Sequence, residues 1–229
     1  MPKEPIPYRV LYSKTPSRIR QLVPLFRTWN SLLSWATPRL AFAKKPECPF
    51  WYGERCQVGW LALAAYEAGW VPLQEPNVSR KGKGEGRGDL SVMKGYRKKA
   101  RYYDFECKFA NLNLSTVKRK SFSKVDDIRG KLGRAVKQTK SKKNDYQGDV
   151  RVGLVFILLY TSKGTTKSDQ IHLLNDFKTT CTTREGLDQA KGDFLALYIA
   201  RHDSVNKVVT EYAGEYEPCL GVAVLGKIA

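Results

Sequence analysis

The chain has 229 residues, 42% of them hydrophobic, and its 40 Lys and Arg against 22 Asp and Glu give a formal net charge of +18. That apolar content excludes a basic disordered tail, and the positive excess favours a polyanionic partner, with nucleic acid ahead of an anionic membrane surface. No apolar run reaches the ~20 residues of a membrane helix, and no apolar signal-peptide stretch opens the chain. The five cysteines form no C-x-x-C pair, which predicts reduced thiols in a cytoplasmic protein with no zinc site.

The N-terminal segment, residues 1–45, is predicted to be extended at first and then helical. Residues 1–15 contain three prolines, whereas residues 17–35 have the pattern of one amphipathic helix or two short ones. Ser17 is a candidate N-cap, and Pro24 is expected to break or kink the helix. We expect this segment to pack on the core of the protein, with a homodimer interface as the alternative.

A second helix is predicted over residues 53–69. Its apolar positions recur at helical spacing, at Val58, Leu61, Ala62, Ala65 and Tyr66. Gly69 is expected to end the helix as a C-cap, and residues 70–73 are predicted to form a short apolar strand.

Residues 76–88 are predicted to form a loop, because glycine occupies every second position from 82 to 88. This segment lacks the ending of a Walker A motif. Its basic residues Lys81, Lys83 and Arg87 are candidates for contacts with a DNA backbone that do not read sequence. A flexible connector is the plainer alternative.

The most informative feature is a pair of predicted strands, over residues 86–93 and 102–110, joined by a basic turn. Side chains alternate along a strand, so Glu106 and Lys108 should point to one face and Cys107 to the other. If the two strands pair as a hairpin, Asp89 approaches Glu106. Two carboxylates bind a hard divalent cation and a nearby lysine orients a water and offsets negative charge, which is enough to hydrolyse a phosphodiester.

Helical spacing returns in residues 125–141, with an apolar stripe formed by Val125, Ile128, Leu132, Ala135 and Val136. Lys131 and Gln138 lie on one flank of this stripe and Arg134 a little further round, so these three residues could reach over the sheet to a phosphate. A solvated basic face is the alternative. Residues 151–160 form a nearly continuous apolar run, typical of a central strand that is buried on both faces.

Downstream, a short helix is predicted over residues 170–181 and strands over residues 193–200 and 218–228, while residues 201–217 fit no single element. The complete pattern predicts an α/β fold. It consists of a mixed central sheet flanked by helices, with an N-terminal helical extension.

The pattern of Asp89, a hairpin, and then Glu106-Cys107-Lys108 resembles the core motif of the PD-(D/E)XK nuclease superfamily, with Gly88 in place of the motif's proline. The resemblance implies a restriction-endonuclease-like domain over residues 46–229. It also implies the order helix, strand, strand, strand, helix, strand, which runs here from about residue 53 to residue 160. The implied activity is DNA cleavage that depends on Mg²⁺, with Mn²⁺ as a substitute, and leaves a 5′-phosphate. Restriction, phage defence, recombination and repair are all compatible roles.

The same resemblance assigns roles at the site. Asp89, Glu106 and the main-chain carbonyl of Cys107 would hold the metal, and Lys108 would act in catalysis. In the family, an acidic residue near the start of the first helix often completes the metal site. Glu54 matches by position and Glu67, at the other end of the helix, is the rival. Alternatively, Glu54 only complements the positive N-terminus of its helix.

Two other functions stay open on the sequence. One is a non-catalytic nucleic-acid-binding protein on a nuclease-like fold, although Asp89, Glu106 and Lys108 are all present. The other is a basic RNA-binding protein in which the motif is a coincidence. The aromatic pattern of an RRM and a KH-type G-x-x-G loop are not evident.

Overall fold

The computed structural model describes residues 11–13, 19–74, 77–80, 84–116, 123–141, 150–205 and 217–229. Within these ranges the helices are α1 (Val23–Ala41), α2 (Gly53–Glu67), α3 (Ser123–Ser141), α4 (Lys167–Cys181) and α5 (Arg184–Gln189). The strands are β1 (Leu11–Ser13), β2 (Val71–Gln74), β3 (Asn77–Arg80), β4 (Gly84–Arg87), β5 (Leu90–Lys94), β6 (Arg101–Asn113), β7 (Val150–Tyr160), β8 (Phe194–Ile199) and β9 (Cys219–Ile228).

Seven strands form one mixed sheet in the order β1-β8-β9-β7-β6-β5-β2. β6 and β7 are parallel and the other neighbours in the sheet are antiparallel. Parallel strands need a crossover connection, which α3 supplies. The predicted mixed α/β sheet is confirmed. β7 is its middle strand and is buried at residues 152–159, as the apolar run predicted.

Helices cover both faces of the sheet. On one face, Phe26 of α1 packs on Phe194 of β8 with 5.3 Å between ring centroids, and Trp70 stacks on Tyr103 of β6 at the same separation. On the other face, α3, α4 and α5 enclose a set of apolar side chains: Leu112, Ile128, Ile157, Phe177, Leu187, Leu195 and Leu225. No helix in the described ranges is long and apolar enough to cross a membrane.

The helical part of the N-terminal segment packs on this core. α1 is one helix of 19 residues, in which Phe26 and Trp29 are fully buried and Asn30 Nδ2 donates to the Leu197 carbonyl at 2.9 Å. The prediction that Pro24 breaks or kinks the helix was wrong. Pro24 lies in the first turn, where its missing N–H would have had no partner within the helix. Ser17, the predicted N-cap, lies outside the described residues.

The prediction of a loop over residues 76–88 was also wrong. β3 and β4 pair there as an antiparallel hairpin, with Asn77 opposite Arg87. Pairing needs only main-chain N–H and C=O groups, and a glycine-rich strand has no alternating side-chain pattern that sequence could reveal. The other predicted elements are present with shifted ends. For example, α4 begins at Lys167 because Thr166 Oγ1 accepts from the Asp169 N–H.

Candidate active site

The candidate site lies at the start of β5, where β6 extends beyond its pairing with that strand. β5 pairs with β6 only as far as Leu90 opposite Phe105, whereas β6 continues beside β7 to Asn113. Beyond Phe105, no described strand lies against this edge of β6. The predicted hairpin between the two motif strands is confirmed. Its first strand begins at Leu90, not at residue 86, so Asp89 stands where the edge opens.

Asp89 is held against the main chain of Cys107. The Cys107 N–H donates to Asp89 Oδ2 at 2.6 Å, and Lys108 Nζ donates to the Cys107 carbonyl at 2.6 Å. The N–H and C=O of one strand residue project to the same side, which here is the open edge. A carboxylate, a carbonyl oxygen and an ammonium group therefore meet at one point.

Glu106 is buried, with 1% of its surface exposed, and the half-buried Lys108 follows on the same face. Glu106 is the register partner of Gly153 in β7, where α3 packs closely through Ala135 and Val136. Partners in register share a face, so α3 covers the face to which Glu106 points.

Cys107 points to the other face, as predicted. It lies in one row with Leu154 and Phe194, and Phe194 packs on α1. Burial raises the pKa of its thiol well above the ordinary value, and the nearby carboxylate of Asp89 adds to this shift. The thiol is therefore protonated at neutral pH, and only the main chain of Cys107 belongs to the site.

The start of α2 brings Glu54 to the same place. Gly53 adopts φ = +69°, which glycine accepts without strain, and the helix begins there. Burial raises the pKa of Glu54; the ammonium of Lys108 opposes this shift and the carboxylate of Asp89 adds to it. Glu67, the rival, is the exposed last residue of the helix. It lies about 20 Å further along the axis, so Glu54 is the acidic residue of α2 at the site.

The donor atoms at this edge suit a hard divalent cation. Mg²⁺ prefers oxygen ligands and is usually bound through one or two carboxylates plus waters. The carboxylates of Asp89 and Glu106 and the carbonyl of Cys107 supply such oxygens, with Glu54 nearby. As the side chains lie, no three or more His, Cys, Asp and Glu residues of the described ranges are grouped to hold a metal ion. The proposed ligands are two carboxylates and one main-chain carbonyl, so a group of three such side chains is not needed. These residues therefore fit Mg²⁺.

Gln57 lies one turn after Glu54 in α2 and was not among the predicted site residues. It is fully buried, and neither its Oε1 nor its Nε2 has a hydrogen-bond partner among the described residues. Leaving a buried amide unpaired costs about 1–3 kcal/mol, so this polar group beside Glu54 is not explained by packing alone. A glutamine among the apolar positions of the helix was the available signal.

Lys131, Arg134 and Gln138 lie on α3, which covers the face of Glu106. Lys131 Nζ is 2.7 Å from Asp127 Oδ2, an ion pair within the helix. Arg134 is exposed, whereas Gln138 is half-buried and its Oε1 has no hydrogen-bond partner in the described part of the chain. Contact of these three residues with a phosphate stays a prediction.

The proposed phosphate contacts upstream of Asp89 fall mostly outside the structure. Lys81 and Lys83 lie outside the described residues, and Arg87 is the last residue of β4, where only the main chain is described. A hairpin, and not a loop, therefore leads into Gly88 and Asp89.

Searches of protein-family models, curated proteins and solved structures find no match to this chain.

Proposed function

We propose that this chain is a metal-dependent endonuclease that hydrolyses DNA phosphodiester bonds. The observation that carries the proposal is the meeting of Asp89 and Lys108 at the main chain of Cys107, next to Glu106. They match the Asp, Glu and Lys of the PD-(D/E)XK pattern. Glu106 and Lys108 lie on β6, and Asp89 directly precedes β5, the strand that pairs with β6.

The order of the elements supports a restriction-endonuclease-like fold. α2, β2, β5, β6, α3 and β7 follow the order helix, strand, strand, strand, helix, strand, and the β3–β4 hairpin is an insertion between the first two strands. The same order places the start of the first helix, with Glu54, beside the motif strands.

The chemistry follows from the donor groups. When bound at Asp89, Glu106 and the Cys107 carbonyl, Mg²⁺ (or Mn²⁺ in its place) supplies Lewis acidity at the scissile phosphate. Lys108 orients the attacking water through its N–H groups and offsets the negative charge that develops as the phosphodiester breaks. The half-buried position of Lys108 strengthens this effect, because charges interact more strongly away from bulk water.

DNA as the partner agrees with the charge of the chain. A net charge of +18 attracts a polyanion, and lysine and arginine contacts with phosphates release counterions. A cytoplasmic location belongs to the same proposal, since all five cysteines are free thiols, as expected in a reducing compartment.

The test is incubation with linear, circular, single-stranded and branched DNA, with and without Mg²⁺, with Asp89→Asn as the matched inactive variant. We expect cleavage that requires Mg²⁺ and is absent in the variant. Cleavage undiminished by EDTA would contradict the proposal. DNA binding without cleavage of any substrate would favour the non-catalytic alternative, and tighter binding of RNA than of DNA across a salt series would favour the RNA-binding alternative.

A further inference from the structure

A rigid aromatic segment precedes α2. The Pro49 carbonyl accepts hydrogen bonds from Trp60 Nε1 at 2.9 Å and from Cys56 Sγ at 3.3 Å. Two side chains of α2 therefore fix the main chain of this segment. Phe50 is fully buried against Tyr198, with 5.8 Å between ring centroids. The next two residues, Trp51 and Tyr52, therefore follow a main-chain segment that is fixed in position.

These two aromatic residues open onto a cleft of about 420 Å³, within the range of small-molecule sites. Tyr160, Asn111 and Glu217 line it as well. The Trp51 indole N–H donates to the Cys219 thiol, which fixes the ring, while Tyr52 keeps 58% of its surface exposed. The cleft thus offers aromatic surface with a few polar groups at its margin.

Two chain segments connect the cleft with the candidate active site. Tyr52 lies two residues before Glu54, and Asn111 lies four residues after Cys107 on β6, so it points to the face of Cys107 and not to that of Lys108. Four residues of strand span about 13 Å. Stacked DNA rises about 3.4 Å per base along one strand, so the cleft lies roughly four bases from the main chain of Cys107 at the site.

The polar groups of the cleft suit a base and not a phosphate. The carboxylate of Glu217 repels phosphate but accepts hydrogen bonds from an exocyclic amino group, and the amide of Asn111 both donates and accepts. Aromatic side chains stack on any base, whatever its identity. A base within a duplex is already paired and stacked, and extruding it costs a few kcal/mol.

We propose that this cleft binds an unpaired nucleobase about four nucleotides from the scissile phosphate. The substrate is then DNA with a single-stranded stretch, a frayed end or a branch beside the cut, in preference to a continuous duplex. This inference rests on the endonuclease proposed above, because it takes the Asp89–Lys108 edge as the point of cleavage.

The experiment measures binding in EDTA, so that cleavage does not enter. Oligonucleotides that carry 2-aminopurine are titrated with the native protein and with Tyr52→Ala, Tyr52→Phe and Tyr66→Ala. Tyr66 is the matched control, since it is an exposed tyrosine of α2 that does not line the cleft. We expect quenching of 2-aminopurine by the native protein and by Tyr52→Phe. Tyr52→Ala should bind the single strand roughly 5- to 150-fold more weakly, with unchanged affinity for duplex and an unchanged salt slope.

Equal single-strand binding by Tyr52→Ala and Tyr66→Ala would overturn the proposal, as would equal affinity of the native protein for single strand and duplex. The failure of the endonuclease proposal is a separate result. Tyr52-dependent quenching without cleavage of any DNA would refute the endonuclease and keep the base-binding cleft, whereas Mg²⁺-dependent cleavage with no role for Tyr52 would do the opposite.

Discussion

Glu106 and Gly153 are register partners on the parallel strands β6 and β7, and the missing side chain of Gly153 allows α3 to lie against the sheet beside Glu106. A Cβ at Gly153 would lie 2.8 Å from Val136 N and 3.2 Å from the carbonyl carbon of Ala135. Both are main-chain atoms of the helix, which a rotamer change cannot move away. The packing around Glu106 therefore depends on a glycine in the neighbouring strand.

Gly153→Ala is expected to lower the free energy of unfolding by about 1–3 kcal/mol, because the helix must shift to admit the methyl group. Gly133→Ala, on the exposed side of the same helix, is the control. A Cβ there meets nothing within 4 Å, so this change should raise stability by up to about 1 kcal/mol. Urea unfolding measures both, and equal effects would contradict the close packing at Gly153.

Asp89→Asn and Glu106→Gln should each abolish cleavage and leave DNA binding intact or tighter, because each change removes a negative charge near the phosphates while keeping the shape of the side chain. Cleavage assays and equilibrium binding of a fluorescent oligonucleotide separate the two effects. Native-like cleavage by either variant would refute the metal-site assignment.

Glu54→Gln should reduce turnover at least tenfold, whereas Glu67→Gln should leave it unchanged, because Glu54 lies near Asp89 and Lys108 and Glu67 lies at the opposite end of α2. The measurement is the cleavage rate at saturating DNA. Loss of activity in the Glu67 variant alone would show that the opposite end of α2 faces the substrate.

The stability of the native protein should depend on pH through Glu54. Burial raises the pKa of Glu54 in the folded chain above its value in the unfolded chain. Between these two pKa values the folded chain holds a proton that the unfolded chain has released, so stability falls as pH rises through this window. Glu54→Gln cannot ionise and should be more stable than the native protein at pH 7. The difference should vanish below about pH 4.3, the ordinary pKa of Glu, when urea midpoints are compared across pH.

Substitution of Lys108 should affect the cleavage rate, whereas substitution of the basic residues before Asp89 should affect DNA binding. Lys108→Ala should lower the cleavage rate by a factor on the order of 10²–10³ with little change in affinity, because Lys108 acts on charge that develops in the transition state. Neutralising Lys81, Lys83 and Arg87 together should weaken binding to all sequences and flatten its salt dependence by up to about one unit of log–log slope per contact.

Single-turnover rates at saturating enzyme distinguish these two sets of residues. Saturation should restore most of the activity of the triple variant and none of that of Lys108→Ala. Rescue of Lys108→Ala by saturation would make Lys108 a binding residue, and normal binding by the triple variant at every salt concentration would make its segment a connector only.

The local sequence pattern by itself predicted several secondary-structure elements and the faces to which their side chains point. The alternation rule placed Glu106 and Lys108 on one face and Cys107 on the other, and the apolar run of β7 predicted a strand buried on both faces. The helical spacing of residues 125–141 predicted α3. These features are read correctly from sequence because side-chain periodicity depends on the geometry of one segment alone.

Contacts between distant segments decided the rest. Position in the predicted helix favoured Glu54 over Glu67, but only the tertiary structure brings Glu54 near Asp89 and Lys108. The position of Pro24 in the first turn of α1 depended on where packing lets the helix begin. The β3–β4 hairpin rests on main-chain pairing that leaves no mark in a glycine-rich sequence. The proposed roles of Tyr52 and Gly153 likewise depend on residues far away in the chain. Tyr52 shares its cleft with a residue of β6, and Gly153 lies against α3. Sequence alone does not reveal such contacts, because burial and charge act through space and not along the chain.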